Sequence, residues 1–301
     1  MSATSIEQEK SWPMHFPTMS LDGVLAWIKR KEVIIGFVIG ALMLFLYNEV
    51  AVLLSKAWID PDSHYQHGPA IPFAVAYILW TRREKIEKTP IKPVWWLLPI
   101  FIGIGVIDVF FSLAHFIDNA HVNIFYVAFL VLVCMIYGFR RFWAMSPALL
   151  YVTMGLPLWH RFIDDNTNQL QIWSTSGAYQ LLELAGFEPL RTAPTVVHLN
   201  NFELNIAEAC SGMKLTLALI ATTLFIMLVA RLRWWANLIL LVLTLPLAVA
   251  MNSLRIALIG IFGDSFGHDA GFWFHDYGSY GTLILAFWLL YITAKKLGWN
   301  V

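Results

Sequence analysis

The run NLILLVLTLPLAVAMNSLR occupies residues 237–255 and indicates the class of protein to which the chain belongs. No residue from Trp234 to Leu254 carries a charge. A helix needs about 20 mainly apolar residues to cross the hydrocarbon core of a bilayer. The run therefore predicts a membrane-spanning helix, which places Arg255 about one membrane thickness away from Arg233.

The composition of the whole chain agrees with this prediction. Hydrophobic residues make up 58% of the 301 positions, charged residues only 13%, and the mean hydropathy is +0.64. The surface of a soluble globular protein does not tolerate that balance. The formal net charge is zero and no basic tail is present, so nucleic acid is not an expected partner. We predict an all-α polytopic membrane protein, with residues 1–301 forming a single integral membrane domain.

Eight apolar runs are long enough to form transmembrane helices. They lie at about 33–55, 67–81, 94–116, 121–139, 143–159, 209–230, 234–255 and 277–294. The clusters of lysine and arginine all fall on one side of this arrangement, and such clusters remain cytoplasmic. Both termini are therefore expected inside, with residues 1–32 as a cytoplasmic tail that is not a removed signal peptide. In a bacterium this predicts the inner membrane, with the opposite side facing the periplasm.

The long segment 160–208 is expected on the periplasmic side. Apolar side chains recur at helical spacing over 163–184, which predicts an amphipathic helix on the membrane surface that ends at Gly186. A helix packed within the protein fits the same spacing. Alternating apolar residues on both sides of Asn200–Asn201 predict a small β-hairpin, because asparagine tolerates the positive φ of a tight turn. The second strand of this hairpin leads directly into Cys210.

Three reactive side chains are predicted at the outer ends of three consecutive spans: Cys210, Arg255 and His275. A thiol becomes a nucleophile when a nearby cation or base favours the thiolate, and a histidine can protonate the leaving amine. A guanidinium can stabilise the oxyanion that forms at a peptide carbonyl. Together they predict an acyl-transfer site. Packing of the cysteine, snorkelling of the arginine and interfacial hydrogen bonding of the histidine are the alternatives, and His268 competes for the histidine's role.

The second cysteine serves as an internal reference. Cys134 lies near the cytoplasmic end of its predicted span, so it is too far from Cys210 to form a disulfide across the bilayer. Cys210 is therefore expected to be a free thiol that faces an oxidising compartment. Reactivity explains a thiol in that position better than packing does.

Four motifs, in this order, resemble those of the exosortase and archaeosortase family of membrane-embedded cysteine transpeptidases. They are DSHYQHGPAIPFAVAYILWTRRE at 62–84, AEACSGMK at 207–214, NSLRI at 252–256 and FH at 274–275. The resemblance extends from about residue 60 to the C-terminus. HYQHG departs from the family pattern, in which a serine commonly precedes the final HG pair.

The resemblance implies a role for each candidate residue. Cys210 is the nucleophile that forms a thioester, Arg255 is the arginine of an NxxR motif, and His275 is the histidine before the last span. Lys214, one turn after the cysteine, and His67, in the HYQHG segment, are candidates for substrate binding.

The resemblance also implies the substrates, which are exported proteins with a C-terminal sorting tail. Such a tail has a short signature such as Pro-Glu-Pro, then a transmembrane helix, then a basic cluster. The expected enzyme is a cysteine-type peptidase or transpeptidase that transfers the cleaved protein to an acceptor, which is water, a lipid, a glycan or an amine. Membrane lipids are the other expected partners, and no cofactor or metal is expected.

The histidines and acids of the predicted outer loops support a second hypothesis. They could bind a metal, as in a metal transporter or a metal-dependent membrane protease. The sequence has no HExxH motif, and these side chains lie in loops rather than at the membrane centre. A third hypothesis, a non-catalytic assembly factor, requires Cys210 to be dispensable.

Overall fold

The structure is a computed structural model that describes residues 21–61, 63–113, 118–206, 212–230 and 232–299. These residues form thirteen α-helices and one antiparallel sheet. The helices are α1 (Leu21–Ile28), α2 (Lys31–Leu46), α3 (Asn48–Ile59), α4 (Ile71–Thr81), α5 (Arg83–Glu87), α6 (Leu98–Leu113), α7 (Asp118–Tyr137), α8 (Phe139–Tyr151), α9 (His160–Leu184), α10 (Met213–Val229), α11 (Trp234–Phe266), α12 (His268–Trp273) and α13 (Ser279–Lys296). The strands are β1 (Leu190–Ala193), β2 (Val196–His198) and β3 (Glu203–Asn205).

Within the described ranges, three helical segments are long and apolar enough to cross a membrane, and a bent pair could supply a fourth span. The three are Ala120–Tyr137, Trp234–Phe266 and His268–Lys296. The segments Gly68–Thr81, Trp95–Phe111 and Met213–Val229 are apolar but shorter. The prediction of an all-α membrane protein is confirmed, whereas the eight spans and their orientation stay predictions.

The first predicted span, 33–55, is broken into α2 and α3 at Tyr47. The two halves meet at 93°, and the backbone of Tyr47 leaves the helical region with φ −105° and ψ 52°. Its ring packs edge-on against Phe125 of α7, with 5.4 Å between ring centroids. Buried side chains of both halves, Met43 and Val50, contribute to one core cluster with α7. This tertiary packing favours the bend, which an apolar run alone does not reveal.

Helix α11 continues for eleven residues beyond Arg255, where the sequence-based span ends. Hydropathy predicts where a chain leaves the hydrocarbon core, but a single charged residue does not break helical hydrogen bonding. The helix ends at Gly267, whose φ of +94° lies in the region that favours glycine. The short helix α12 then folds back so that Gly271 lies against Gly263. Helix α13 returns along α11.

Helix α9 confirms the helix that was predicted over 163–184, and Gly186 follows it with φ +86°. One face of α9 is buried and packs along α11. The two helices approach most closely at Gly177, where a side chain would collide with Ser253. The structure therefore shows the packed helix that the sequence left as an alternative.

The predicted β-hairpin is present. Strands β2 and β3 pair antiparallel with Val197 opposite Leu204, and Leu199 and Phe202 are hydrogen-bonded across the turn. Strand β1 adds an edge that the sequence did not predict, because its exposed residues lack an alternating apolar pattern. At the tip of the hairpin, the backbone N–H of Asn201 donates to the carboxylate of Asp264 at 2.6 Å, which attaches the hairpin to the end of α11.

The predicted span 143–159 is also altered. Helix α8 begins after Gly138, ends at Tyr151 and passes into a 3₁₀ turn at Val152–Met154. A carbonyl of the segment before α6 would occupy the place of a side chain at Gly138, whose φ is +82°. A glycine is therefore required there.

Candidate active site

Cys210, the predicted nucleophile, lies outside the residues that the structure describes. The described residues on either side of it are Ile206, at the end of the hairpin, and Gly212, at the start of α10. The contacts of Ile206 and Gly212 show which helices and strands flank the segment that contains Cys210.

Gly212 lies directly against α11. It precedes the first residue of α10 and has a φ of +83°. A Cβ atom at this position would lie 2.7 Å from Cγ of Asn252, which is fully buried. Arg255 is half-buried and follows Asn252 by three residues, so the two side chains lie on neighbouring positions of one helix face. The structure thus brings the end of the cysteine motif to the turn of α11 that carries Arg255.

Ile206 is held by both of its backbone groups. Its N–H donates to the carbonyl of Thr195 at 3.0 Å, and its carbonyl accepts a hydrogen bond from the Nε2 amide of Gln171 on α9. Gln171 is buried, and the sequence pattern did not single it out as a functional residue. No sequence pattern distinguishes it from the exposed polar residues of the same helix.

Lys214 joins the start of α10 to the loop that precedes α4. Its Nζ ammonium donates to the backbone carbonyl of Pro61. In the same loop, Tyr65 is buried in one core cluster with Met213. The backbone N–H of Trp159 donates to the Tyr65 hydroxyl at 3.2 Å, and burial raises the pKa of Tyr65 to about 12. The loop that contains HYQHG is therefore packed against the helix that follows Cys210.

His67 is fixed in this loop by a hydrogen bond of 2.9 Å to the carbonyl of Met154. Because a carbonyl only accepts, Nε2 carries the proton and the lone pair of the neutral ring is on Nδ1. Burial lowers the pKa of His67, which favours that neutral ring. The next residue, Gly68, must be a glycine because the ring of Trp58 occupies the space of a side chain. These contacts anchor the loop, while substrate binding by His67 and Lys214 stays a prediction.

His275 lies in a π-helical segment, Phe274–Gly278, between α12 and α13. Such segments are rare and often occur at functional sites. Phe274 stacks on Phe262 of α11, with 4.8 Å between ring centroids. Phe262 is seven residues after Arg255, which is about 10 Å along the helix axis and close to the same helix face.

The tautomer of His275 follows from its neighbour. Nδ1 lies 3.0 Å from Oδ1 of Asp276, and an ionised carboxylate only accepts, so Nδ1 is the donor. The neutral ring then has its lone pair on Nε2, the form that a general base requires. Asp276 is a residue whose orienting role the sequence analysis did not predict.

His268, the alternative histidine, lies at the start of α12. It is exposed and follows the end of α11 at Phe266, about 16 Å along the axis from Arg255. Its ring contacts Phe202 of the hairpin tip and Phe272, with centroid distances of 5.5 and 4.6 Å. The structure thus places His268 beside the hairpin tip and Phe274, the neighbour of His275, on α11, while the choice between the two histidines stays a prediction.

Cys134 is buried in a cluster with Leu97 and Met135, separate from the clusters around α10 and α11. Among the residues with described positions, no group of three or more His, Cys, Asp or Glu side chains could hold a metal ion.

The helices and the site define a multi-pass membrane protein with a polar site where the hairpin, α10 and α11 meet. A family model described as transmembrane exosortase matches residues 58–293, more than three quarters of the chain. The chain belongs to the transmembrane exosortase family. Membership indicates a membrane transpeptidase that acts on sorting signals. No curated protein and no solved structure matches the chain.

Proposed function

We propose that this protein is a cysteine transpeptidase of the bacterial inner membrane that cleaves the C-terminal sorting tails of exported proteins. The family match supports the reaction class. The observation that carries the proposal for the site is the contact of Gly212 with Asn252, one turn before Arg255. Two peptide units separate Cys210 from Gly212, which limits the distance between their Cα atoms to about 7.6 Å.

The proposed reaction begins with His275, whose Nε2 takes the thiol proton of Cys210. The thiolate attacks the scissile carbonyl carbon, a C–S bond forms and the carbonyl oxygen becomes an oxyanion, to which the guanidinium of Arg255 donates. The C–N bond then breaks, and the leaving amine takes the proton from His275. An acceptor nucleophile attacks the thioester, gives its proton to the imidazole and releases the thiolate, which is reprotonated.

The surroundings of Arg255 support this role. An arginine in an apolar helix is costly unless it faces a partner or a cavity, and Arg255 is half-buried on the face that holds Gly212. Lysine presents a point charge rather than a planar set of donors. Arg255→Lys is therefore expected to lose most of the activity that depends on oxyanion binding.

The proposal is tested with an exported reporter that carries a Pro-Glu-Pro signature, a transmembrane helix and a basic cluster. Processing is measured by the mass of the reporter in membranes that contain the full chain. Cys210→Ala, Arg255→Lys and His275→Ala should abolish processing with unchanged insertion, whereas Cys134→Ala and His268→Ala should process normally. Normal processing by Cys210→Ala would end the thiol mechanism, and loss of processing in a chelator would favour the metal hypothesis.

A second measurement tests the site without a substrate. The rate of thiol alkylation in intact membranes is followed against pH for the wild type, His275→Ala and Arg255→Ala, with Cys134 as the reference thiol. Cys210 should react at a pH well below the ordinary thiol range of about 8.5, and either substitution should remove this advantage. Alkylation like that of an ordinary thiol in all three proteins would argue against an activated site in the absence of substrate.

A further inference from the structure

Arg141 is a charged residue that is largely enclosed by the protein. It lies in the first turn of α8 and is only 7% exposed. Its Nε donates to the backbone carbonyls of Ile86 and Thr89, at 3.2 and 3.1 Å. Both acceptors are neutral, and within the described ranges no carboxylate forms an ion pair with Arg141. Because an uncompensated charge is costly to bury, this guanidinium calls for an explanation.

The two Nη atoms of Arg141 are the groups that a ligand can reach. Neither makes a hydrogen bond in the part of the chain that the structure describes. The buried side-chain atoms that lack a partner do not include them, so both Nη atoms reach the surface. The bonds from Nε fix the plane of the guanidinium. Its Nη N–H groups can then donate in parallel to two oxygens of one anion.

This surface lies where the chain leaves a candidate membrane span. The span Ala120–Tyr137 ends four residues before Arg141. Trp96 and Phe139 are in contact beside it, with 6.3 Å between ring centroids. The large exposed aromatic side chains of this region are Trp95, Trp96, Phe139 and Trp143. Exposed tryptophans are typical of the headgroup level of a membrane. Arg141 is therefore placed at the depth of lipid phosphates.

The charges around Arg141 are mainly positive. Helix α5 packs against α8, which brings the segments 82–92 and 140–141 to one surface. These segments contain two glutamates, and one of them, Glu87, is paired with Arg30. Their seven basic residues are Arg82, Arg83, Lys85, Lys88, Lys92, Arg140 and Arg141. A surface of this charge attracts phosphate anions, and the neighbouring aromatic rings favour a phosphate that carries acyl chains.

We propose that Arg141 holds the phosphate of a phospholipid with a net negative headgroup, such as phosphatidylglycerol. The phosphate oxygens accept hydrogen bonds from the two Nη atoms, and the acyl chains lie along the exposed aromatic rings. A phosphatidylcholine headgroup carries a cation that the basic surface repels, so the site selects the anionic lipid. The site uses none of the residues of the proposed reaction and does not depend on the proposed function.

The site is tested by lipid titration of the full chain in detergent micelles. Phosphatidylglycerol should raise the unfolding midpoint of the wild type well above the midpoint in the same concentration of phosphatidylcholine. Arg141→Gln should weaken the apparent affinity for phosphatidylglycerol by about 10-fold to 100-fold, because hydrogen bonds to a charged group are lost. The control Lys296→Gln removes one charge from an exposed position at the end of α13 and should leave the affinity unchanged.

Two outcomes of the titration would overturn the inference. Equal losses of affinity in Arg141→Gln and Lys296→Gln would show a response to net charge alone. Stabilisation by glycerol phosphate that equals stabilisation by phosphatidylglycerol would show that the acyl chains contribute nothing, so a lipid would not be the occupant.

A second measurement needs no substitution and therefore decides the case if Arg141→Gln does not fold. Phosphatidylglycerol with a photoreactive headgroup is added to membranes that contain the full chain, and the labelled peptides are identified by mass spectrometry. Label is expected within residues 85–97 and 139–143, and unlabelled phosphatidylglycerol should displace it more effectively than phosphatidylcholine. Label that is absent from both segments, or that both lipids displace equally, would overturn the site.

Discussion

Replacing Gly212 with alanine tests whether the end of the cysteine motif is held against α11 as the structure shows. Two separate effects oppose this substitution. The backbone at Gly212 has φ +83°, a conformation that L-residues adopt at a cost of about 1–2 kcal/mol. The added Cβ would also lie 2.7 Å from two atoms of the buried Asn252 side chain.

The size of the second effect follows from the lack of room. Asn252 is 1% exposed, so its side chain cannot move aside into solvent. Overpacking of a well-packed site costs about 1–3 kcal/mol. Gly212→Ala is therefore expected to lower the free energy of unfolding by about 2–5 kcal/mol in total.

Gly186 provides the matched control. Its φ is +86°, nearly the same as that of Gly212, but no atom lies within 4 Å of a Cβ built there. Gly186→Ala should cost only the backbone term of about 1–2 kcal/mol. The free energies are measured by reversible denaturant unfolding in detergent micelles, with the same detergent for both variants.

The contact itself is isolated by a double-mutant cycle. In an Asn252→Gly background the new methyl group of Gly212→Ala has room, so its cost should fall to the backbone term and the coupling energy should be about 1–3 kcal/mol. Equal costs for Gly212→Ala and Gly186→Ala, or a coupling energy near zero, would refute the close approach of the motif to α11.

Three further outcomes are expected. Gln171→Leu should accelerate alkylation of Cys210 and lower the unfolding midpoint, because the carbonyl of Ile206 loses its hydrogen-bond donor. The control Gln169→Leu, at an exposed position of the same helix, should change neither quantity. Equal effects of the two substitutions would contradict the contact. Burial lowers the pKa of His67, so stability is present above its ordinary pKa of 6.5 and is lost as pH falls below it. His67→Gln should therefore flatten the pH dependence of the unfolding midpoint, and an unchanged dependence would assign it to another group. Phe274→Leu should reduce processing more than it reduces stability, because the stack on Phe262 positions His275. In a double-mutant cycle on unfolding, Phe274→Leu and Phe262→Leu should show a coupling energy of about 0.5–1.5 kcal/mol. Additive unfolding free energies would exclude the stack as a positioning contact.

Much of the fold was predictable because membrane helices depend on the hydropathy of consecutive residues. The long apolar run before Arg255, the helix ended by Gly186 and the hairpin around Asn200–Asn201 are local patterns, and the structure contains all three elements. The bend at Tyr47 was not predictable, because it depends on the packing of its ring against Phe125 of another helix.

The identity of the candidate residues also came from local motifs, whereas their supporting contacts did not. The hydrogen bond from Gln171 joins residues 35 positions apart, and that from Lys214 to Pro61 joins residues 153 positions apart. No pattern of neighbouring residues encodes such a pair, since a buried amide or hydroxyl looks like any polar residue in the sequence. Composition and motif order were sufficient for a membrane-embedded family of this kind. Only the packing of α9, α10 and α11 decided which polar side chains surround the motif, because a contact across helices depends on how whole helices fit together.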